Sequence, residues 1–324
     1  MTTVYNVLII GAGNIGAFYD NPNSDKILSH AHAYTKHKGF NLVGFIDVDQ
    51  EKSIKATAIW GGKAFKDIES ALDIENSIDI AVVGVPDDFH FNTLRELSKY
   101  DLKVIVIEKP ITKTLAEAKE IIKIFNSKKT KLLVNYSRRF VPEFEKIKTK
   151  IEAGTYGEYL TGTGYYGKGI AHNGSHMVDL LRYFIGEIKE FNVINSVTDF
   201  YEDDKTVSAV LQLGNKKPFY LQGVDCRKYT VFEMDLLFEN KRIRICDLGF
   251  KLEEYDVFDS SVYNGYQNIV KVSEKSTSLD HAIFNAAENL YNFLSQNQSL
   301  KCNLDDGFKA LETSLKIQGK VNLN

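Results

Sequence analysis

Cysteine is scarce: Cys226, Cys246 and Cys302 are the three in 324 residues, odd in number and widely scattered. That excludes a disulfide scaffold and a closely spaced thiolate metal or redox pair, and leaves three reduced packing residues. Proline is scarce too, at five, and the 22 glycines form no tract, so no compositional linker marks a domain boundary. Apolar runs such as Val7–Ile10 and Val104–Ile107 are a fraction of the roughly 20 residues that span a bilayer. No basic segment precedes an apolar stretch at the start, so no membrane association is expected and the expected location is cytoplasmic. Charge of one sign is also missing, with 40 Lys+Arg against 43 Asp+Glu and a net charge of −3. Nucleic acid, which demands a concentrated basic surface, is not an expected partner. What remains is ordinary globular composition, 44% hydrophobic and 26% charged, in a chain long enough for two packed cores.

The order of apolar segments carries the organisation. Short β-branched runs at Val4–Ile10, Asn41–Asp47, Ile78–Val85, Lys103–Ile107 and Lys131–Asn135 alternate with amphipathic stretches, the pattern of a parallel sheet flanked by helices. Leu115, Ala118, Ile122 and Phe125 recur at offsets of three and four, which predicts a helix over Leu115–Lys128. After a helix at Pro142–Glu152 the rhythm changes to alternating runs: Tyr159–Tyr166, Phe191–Val197, Val207–Leu213, Phe219–Asp225, Thr230–Leu237 and Arg242–Asp247. One helix, near Ser175–Phe184, interrupts them, so an antiparallel, meandering sheet is expected. Ile283, Ala287, Leu290 and Leu294 mark a further helix, and the acidic pair Asp305–Asp306 opens a last one. The expected fold is α/β: a doubly wound Rossmann domain over residues 1–125 and an α/β domain with a large open, mostly antiparallel sheet over 126–324. The C-terminal helices have the option of packing back on the first domain.

Gly11-Ala12-Gly13-Asn14-Ile15-Gly16 follows the first strand and opens a helical segment, the context in which G-x-G-x-x-G has a mechanism. Gly11 permits the tight turn, Gly13 lets backbone approach a pyrophosphate, and Gly16 lets helix and strand pack closely. The helix start offers N–H groups and a positive dipole to the phosphates. A second signal is Asp47 at the end of the second strand, where a carboxylate accepts from adenosine ribose hydroxyls and repels a 2′-phosphate. It lies 31 residues beyond Gly16, more than the usual spacing of about 20, and a looped-out insertion at Asp20–His32 absorbs the excess. NAD is therefore expected over NADP, with Asp49 the competing acid.

Glu108-Lys109-Pro110 ends the fourth readable strand, and open α/β sheets bind ligands beyond the carboxyl ends of their strands. The proline stiffens the turn that aims the ammonium. Five segments then stand in a telling order: Gly11–Gly16, Gly84-Val85-Pro86-Asp87-Asp88-Phe89-His90, Glu108-Lys109-Pro110, Asn135-Tyr136-Ser137-Arg138-Arg139-Phe140-Val141-Pro142 and Gly174-Ser175-His176-Met177-Val178-Asp179. With Asp305-Asp306-Gly307-Phe308-Lys309-Ala310-Leu311 near the end, the chain resembles the glucose–fructose oxidoreductase / inositol dehydrogenase / rhizopine-catabolism (Gfo/Idh/MocA) family along nearly its whole length. The resemblance implies NAD(P)-dependent oxidation or reduction of a carbon bearing a hydroxyl or carbonyl, usually on a sugar or cyclitol. It implies that Lys109 and His176 are the catalytic pair beside the nicotinamide. It places Gly11, Gly13, Asn14, Ile15, Gly16, Asp47, Pro86, His90, Glu108 and Lys109 about the cofactor, and Tyr136, Arg139, Lys168, His172 and Asp179 about the substrate.

The assignment makes chemical sense. Hydride leaves a carbinol carbon only as the O–H proton is lost; His176 suits the base and Lys109 can stabilise the developing oxyanion. One departure stands out, because similar sequences commonly carry an acid four residues before this His, and here the position is His172. Either His172 contacts substrate or the base role is shared by two imidazoles. A metal reading of His172, His176 and Asp179 is disfavoured, since Asn173 and Gly174 suggest that the helix starts after His172, and no metal is expected. The short, glycine-flanked Gly167–Ala171 loop leaves an open rim, on which Lys168 either meets a phosphate or carboxylate or merely faces solvent. The expected activity is NAD-linked dehydrogenation of a sugar, with a nucleotide sugar preferred over a free sugar or cyclitol. A non-catalytic NAD(P)-binding regulator is the alternative of another class. An open sheet with one uncovered face also predicts a homo-oligomer through the second domain.

Overall fold

The computed structural model describes residues 3–74 and 78–321, and every count below concerns these residues. The chain forms two compact units, Met1–Phe140 with Asp280–Lys309, and Val141–Leu279 with Ala310–Asn324.

In the first unit the strands are β1 (Tyr5–Ile10), β2 (Phe40–Ile46), β3 (Lys63–Phe65), β4 (Ile80–Val83), β5 (Val104–Ile107) and β6 (Lys131–Val134). They form one parallel sheet in the order β3-β2-β1-β4-β5-β6, a doubly wound sheet whose direction of winding reverses between β1 and β4. The helices are α1 (His30–Lys36), α2 (Gln50–Trp60), α3 (Ile68–Ile74), α4 (His90–Leu97) and α5 (Leu115–Asn126). β4 and β5 are buried at every position, as strands covered on both faces must be. α5 begins in a capping box: the Thr114 side chain accepts from Glu117 N and the Glu117 carboxylate accepts from Thr114 N, while Ala118, Ile121 and Phe125 are buried.

The expected boundary at 125/126 moves to 140/141, because β6 hydrogen-bonds β5 and is part of the first sheet. Residues 280–309 also belong to this unit. Gly307 explains one close approach, since a Cβ there would lie 2.7 Å from Val134 Cγ2.

The second unit contains α6 (Pro142–Glu152), β7 (Tyr159–Tyr166), α7 (Ser175–Phe184) and β8 (Ile188–Val197), followed by β9 (Thr206–Leu213) and β10 (Pro218–Gly223). β11 (Phe232–Phe238), β12 (Lys241–Cys246), β13 (Lys251–Asp259) and β14 (Gln267–Ser276) complete its eight-stranded sheet, ordered β14-β13-β12-β11-β7-β10-β9-β8. The expected meander is corrected in one place: β10 pairs β7 in parallel, and β7 is thereby inserted between β10 and β11. Three strands beyond the expected set also appear, β3 in the first unit and β13 and β14 in the second. β14 is exposed at nearly every residue, so it carries no alternation for a sequence reading to detect, yet it pairs with β13 along its length. α8 (Ala282–Gln296) is in the first unit, and α9 (Leu304–Val321) begins there and continues into the second from Ala310. Among the described residues no helix is long and apolar enough to cross a membrane.

Candidate functional site

In the first unit β1 ends at Ile10 and Gly11 turns the chain with φ +98°; a Cβ there would lie 2.6 Å from the Gly84 carbonyl carbon. At Gly16 a Cβ would lie 2.0 Å from the Gly11 oxygen. Both glycines are therefore required by the protein's own packing. Gly13 differs, for a Cβ there would meet nothing within 4 Å. The room beside Gly13 is what a pyrophosphate needs, so this loop fits a dinucleotide.

The helix expected after the loop is cut short. Asn14–Phe18 make a single five-residue π turn, with Tyr19 N donating to Asn14 O, and α1 starts only at His30. The reason is Asp20, whose carboxylate accepts from Leu28 N (2.6 Å), Ser29 Oγ and His32 Nδ1 (2.8 Å) and so folds the inserted residues back. Loop N–H groups, rather than the dipole of a long helix, are what this turn offers to phosphate. Trp60 Nε1 donates to Ala17 O at 2.8 Å and secures the turn to α2.

Asp47 follows β2 directly. Its Oδ2 accepts from Ala12 N at 2.8 Å, inside the glycine loop, and its Oδ1 accepts from Asp49 N at 3.0 Å. The competing Asp49 is engaged as the N-cap of α2, accepting from Glu51 N. Pro86 precedes the 3-10 turn Asp87–Phe89. His90, 1% exposed, places Nδ1 2.7 Å from Pro110 O and Nε2 3.0 Å from Val85 O. Its ring fastens the loop after β4 to the turn after β5, so any service to a cofactor is through those loops.

Glu108 leaves β5 with its carboxylate turned inward, 14% exposed. Oε1 accepts from Asn135 Nδ2 at 2.6 Å and lies 2.9 Å from His30 Nε2. Burial by itself would raise this carboxyl; the hydrogen bond and charge of His30, the Asn135 amide and the neighbouring Lys109 ammonium outweigh it and hold the group below its ordinary value. Tyr34 stacks on His30 with centroids 6.2 Å apart, and its hydroxyl is pushed up by burial and then by Glu108. The Lys109–Pro110 peptide is cis. Sequence reasoning missed His30; the repeated His30-Ala31-His32-Ala33 at the start of α1 was its only local trace. Two expected substrate residues are built into the unit's own packing. Tyr136 is 1% exposed, and Arg139 donates to Lys301 O at 3.0 Å and pairs with Asp306 at 3.1 Å.

In the second unit α7 starts at Ser175, after His172 as expected, and a π turn leads into it. Gly169–Gly174 already form a helical turn, and Gly174 (φ −62°, ψ −28°) and Ser175 (φ −60°, ψ −30°) continue it into α7 without a break. His172 lies in the π turn and His176 in the first turn of α7. An acid reaches His172 from elsewhere in the chain: Asp204 Oδ2 lies 2.7 Å from His172 Nδ1, 32 residues away. Tyr201 stacks on the His172 ring at 4.0 Å and 13°. No spacing signal pointed to either residue. Asp179 is 1% exposed with Arg182 at 4.0 Å, which makes it a packing residue of α7. Lys168 takes a left-handed conformation (φ 64°), its N–H donates to Asp199 Oδ2, and its ammonium sits 5.0 Å from the Phe200 ring centre. Among the described residues no group of three His, Cys, Asp or Glu could hold a metal ion.

Sheet order and glycine loop together define a dinucleotide-binding protein of the Rossmann class. Residues 5–136 match the model of the oxidoreductase family with an NAD-binding Rossmann fold, GFO_IDH_MocA. The match covers β1 to β6 of the first unit. It is 28% identical over 152 residues to an inositol 2-dehydrogenase of Rhizobium meliloti, a match spanning 46% of this chain and 41% of that protein. The UDP-N-acetylglucosamine 3-dehydrogenase of Acidithiobacillus ferrooxidans superposes with a TM-score of 0.77 at 17% identity, covering 98% of both chains. An oxidoreductase of Agrobacterium radiobacter solved with NAD+, L-tartaric acid and magnesium gives 0.77 at 16% identity, covering 99% of this chain and 97% of that one.

Proposed function

We propose that the protein is an NAD-linked dehydrogenase acting on a CH–OH carbon of a sugar or cyclitol. The observation that supports the reading is Lys109 at the carboxyl end of β5, directly after a carboxylate that His30 and Asn135 hold rigidly, in the same sheet as a glycine loop with free space at Gly13. Bound nicotinamide supplies the hydride acceptor or donor. Gly11, Gly13, Asn14, Ile15 and Gly16 present backbone to the pyrophosphate, and Asp47 takes the ribose hydroxyls, which favours NAD over NADP. Lys109 hydrogen-bonds the substrate oxygen and offsets the negative charge that grows as its proton leaves; His176 takes that proton. Lys168 and His172 are the further substrate residues of this reading. The second-unit sheet leaves Leu160, Tyr165, Ile194 and Tyr220 exposed, and a homo-oligomer through that sheet is part of the proposal, read by mass in solution.

The testing experiment is a screen of NAD against NADP with free sugars, cyclitols and nucleotide sugars, followed by the absorbance of reduced nicotinamide. Turnover of a nucleotide sugar and not its free sugar would extend the reading to the open rim at Gly167–Ala171. Cofactor binding without turnover of any substrate would replace it with a regulator.

A further inference from the structure

Two buried polar side chains of the first unit converge on one carboxylate. His30 from α1 and Asn135, directly after β6, reach Oε1 of Glu108, directly after β5, at 2.9 and 2.6 Å. His30 and Asn135 are 1% and 3% exposed. Their second polar atoms, His30 Nδ1 and Asn135 Oδ1, are buried and meet no hydrogen-bond partner among the described residues. Such an arrangement works against stability, because a buried carboxylate and each unpartnered polar atom give up hydration, and apolar residues of similar volume would fill the space without that loss. The backbone about the carboxylate is fixed as well. Glu108 N donates to Val83 O at 3.1 Å and Asn135 N to Ile107 O at 2.8 Å, while beyond Lys109 the Pro110 oxygen lies 2.7 Å from His90 Nδ1. The groups that face the carboxylate are His30 and Tyr34 of α1, Asn135 after β6, and the adjoining Lys109. Tyr34 is a neutral phenol, its hydroxyl pushed up by burial and then by Glu108. Lys109 therefore leaves a backbone held on both sides, next to a negative charge held by two donors.

We propose that His30 and Glu108 are positioning residues for Lys109: His30 holds the carboxylate in place, and the carboxylate keeps the lysine an ammonium that donates to the substrate oxygen. This rests on the dehydrogenase reading. A fixed negative charge favours the protonated lysine, so removing it lowers the pH at which Lys109 gives up its proton. A pair that merely braced α1 against the sheet would leave that pH where it is.

Two measurements on the full-length protein decide it. Lysine side-chain NMR over an alkaline titration, with Lys109 assigned through Lys109→Met, is expected to place the Lys109 midpoint about one pH unit lower in Glu108→Gln. His30→Leu should move it the same way, and His30→Gln, which keeps an N–H for Glu108, should restore most of the original midpoint. An unmoved midpoint in Glu108→Gln overturns the pair, and does so even where the His30 variants fail to fold. On a substrate identified by the screen, the alkaline limb of kcat/KM should shift down with the NMR midpoint in Glu108→Gln. In His30→Leu kcat should fall about tenfold or more, and His30→Gln should recover most of it. An unshifted limb, or a loss equal in His30→Leu and His30→Gln, overturns the pair while the dehydrogenase reading stands. An unmodified protein inert towards every substrate of the screen instead sinks that reading and the service of the pair to it, although the NMR midpoint would still report whether Glu108 holds the charge on Lys109.

Discussion

Glu108 offers a prediction whose size follows from the structure. Its Oε1 receives two donors, His30 Nε2 at 2.9 Å and Asn135 Nδ2 at 2.6 Å. His30 is 2% exposed on its side chain and Asn135 is 3% exposed. Glu108→Ala strands both, and a buried donor without an acceptor costs about 1–3 kcal/mol, so the loss is about 2–6 kcal/mol. Glu108→Gln keeps a carbonyl oxygen where Oε1 stands and loses only the charge assistance, about 1 kcal/mol. The two variants should therefore differ by more than Gln differs from the wild type. Trp60, the one tryptophan in the sequence, lies in the first unit and reports its unfolding by fluorescence during urea titration. The pH dependence adds a check on sign. The folded carboxyl is held below its ordinary value of 4.5, so its contribution is complete at neutral pH and is lost as pH falls below 4.5 through the lower folded value. The gap between wild type and Glu108→Gln should close over that acidic window. Equal losses in the Ala and Gln variants, or a gap that widens in acid, would refute the assignment of this cluster.

Gly13→Ala should leave the urea midpoint unchanged and weaken NAD affinity, because only a ligand competes for the space its methyl would fill; Gly16→Ala, with a Cβ 2.0 Å from the Gly11 oxygen, should destabilise the first unit outright. Tight NAD binding by Gly13→Ala in calorimetry would remove this loop as the phosphate site. Asp47→Asn retains an acceptor for Ala12 N–H but loses the charge, so the preference for NAD over NADP should narrow; tighter NADP binding by the unmodified protein would contradict the premise. Lys109→Ala and His176→Ala should each lower kcat by roughly 10²-fold or more with little change in NAD affinity. Full turnover in either variant, measured by steady-state kinetics, would strike that residue from the reaction.

Much of the fold was legible in the sequence because it rests on local periodicity. β4 and β5 are continuous apolar runs since both faces of a parallel sheet are covered, and α5 shows its buried face at Ala118 and Phe125 within a few residues. The glycine loop and the Glu108–Pro110 turn were legible for the same reason, as each is a short stretch whose chemistry is complete in itself. Tertiary structure alone decided which distant groups meet. Nothing in the local pattern announces that His30 reaches Glu108 across 78 residues, that Arg139 is spent on a carbonyl 162 residues away, or that Asp204 meets His172 across 32. β7 lies between β10 and β11, and the turn before α7 is helical already at Gly169. A hydrogen bond is satisfied by any correctly placed partner, whatever its separation along the chain, so local pattern fixes the elements while only the packed chain fixes the pairs.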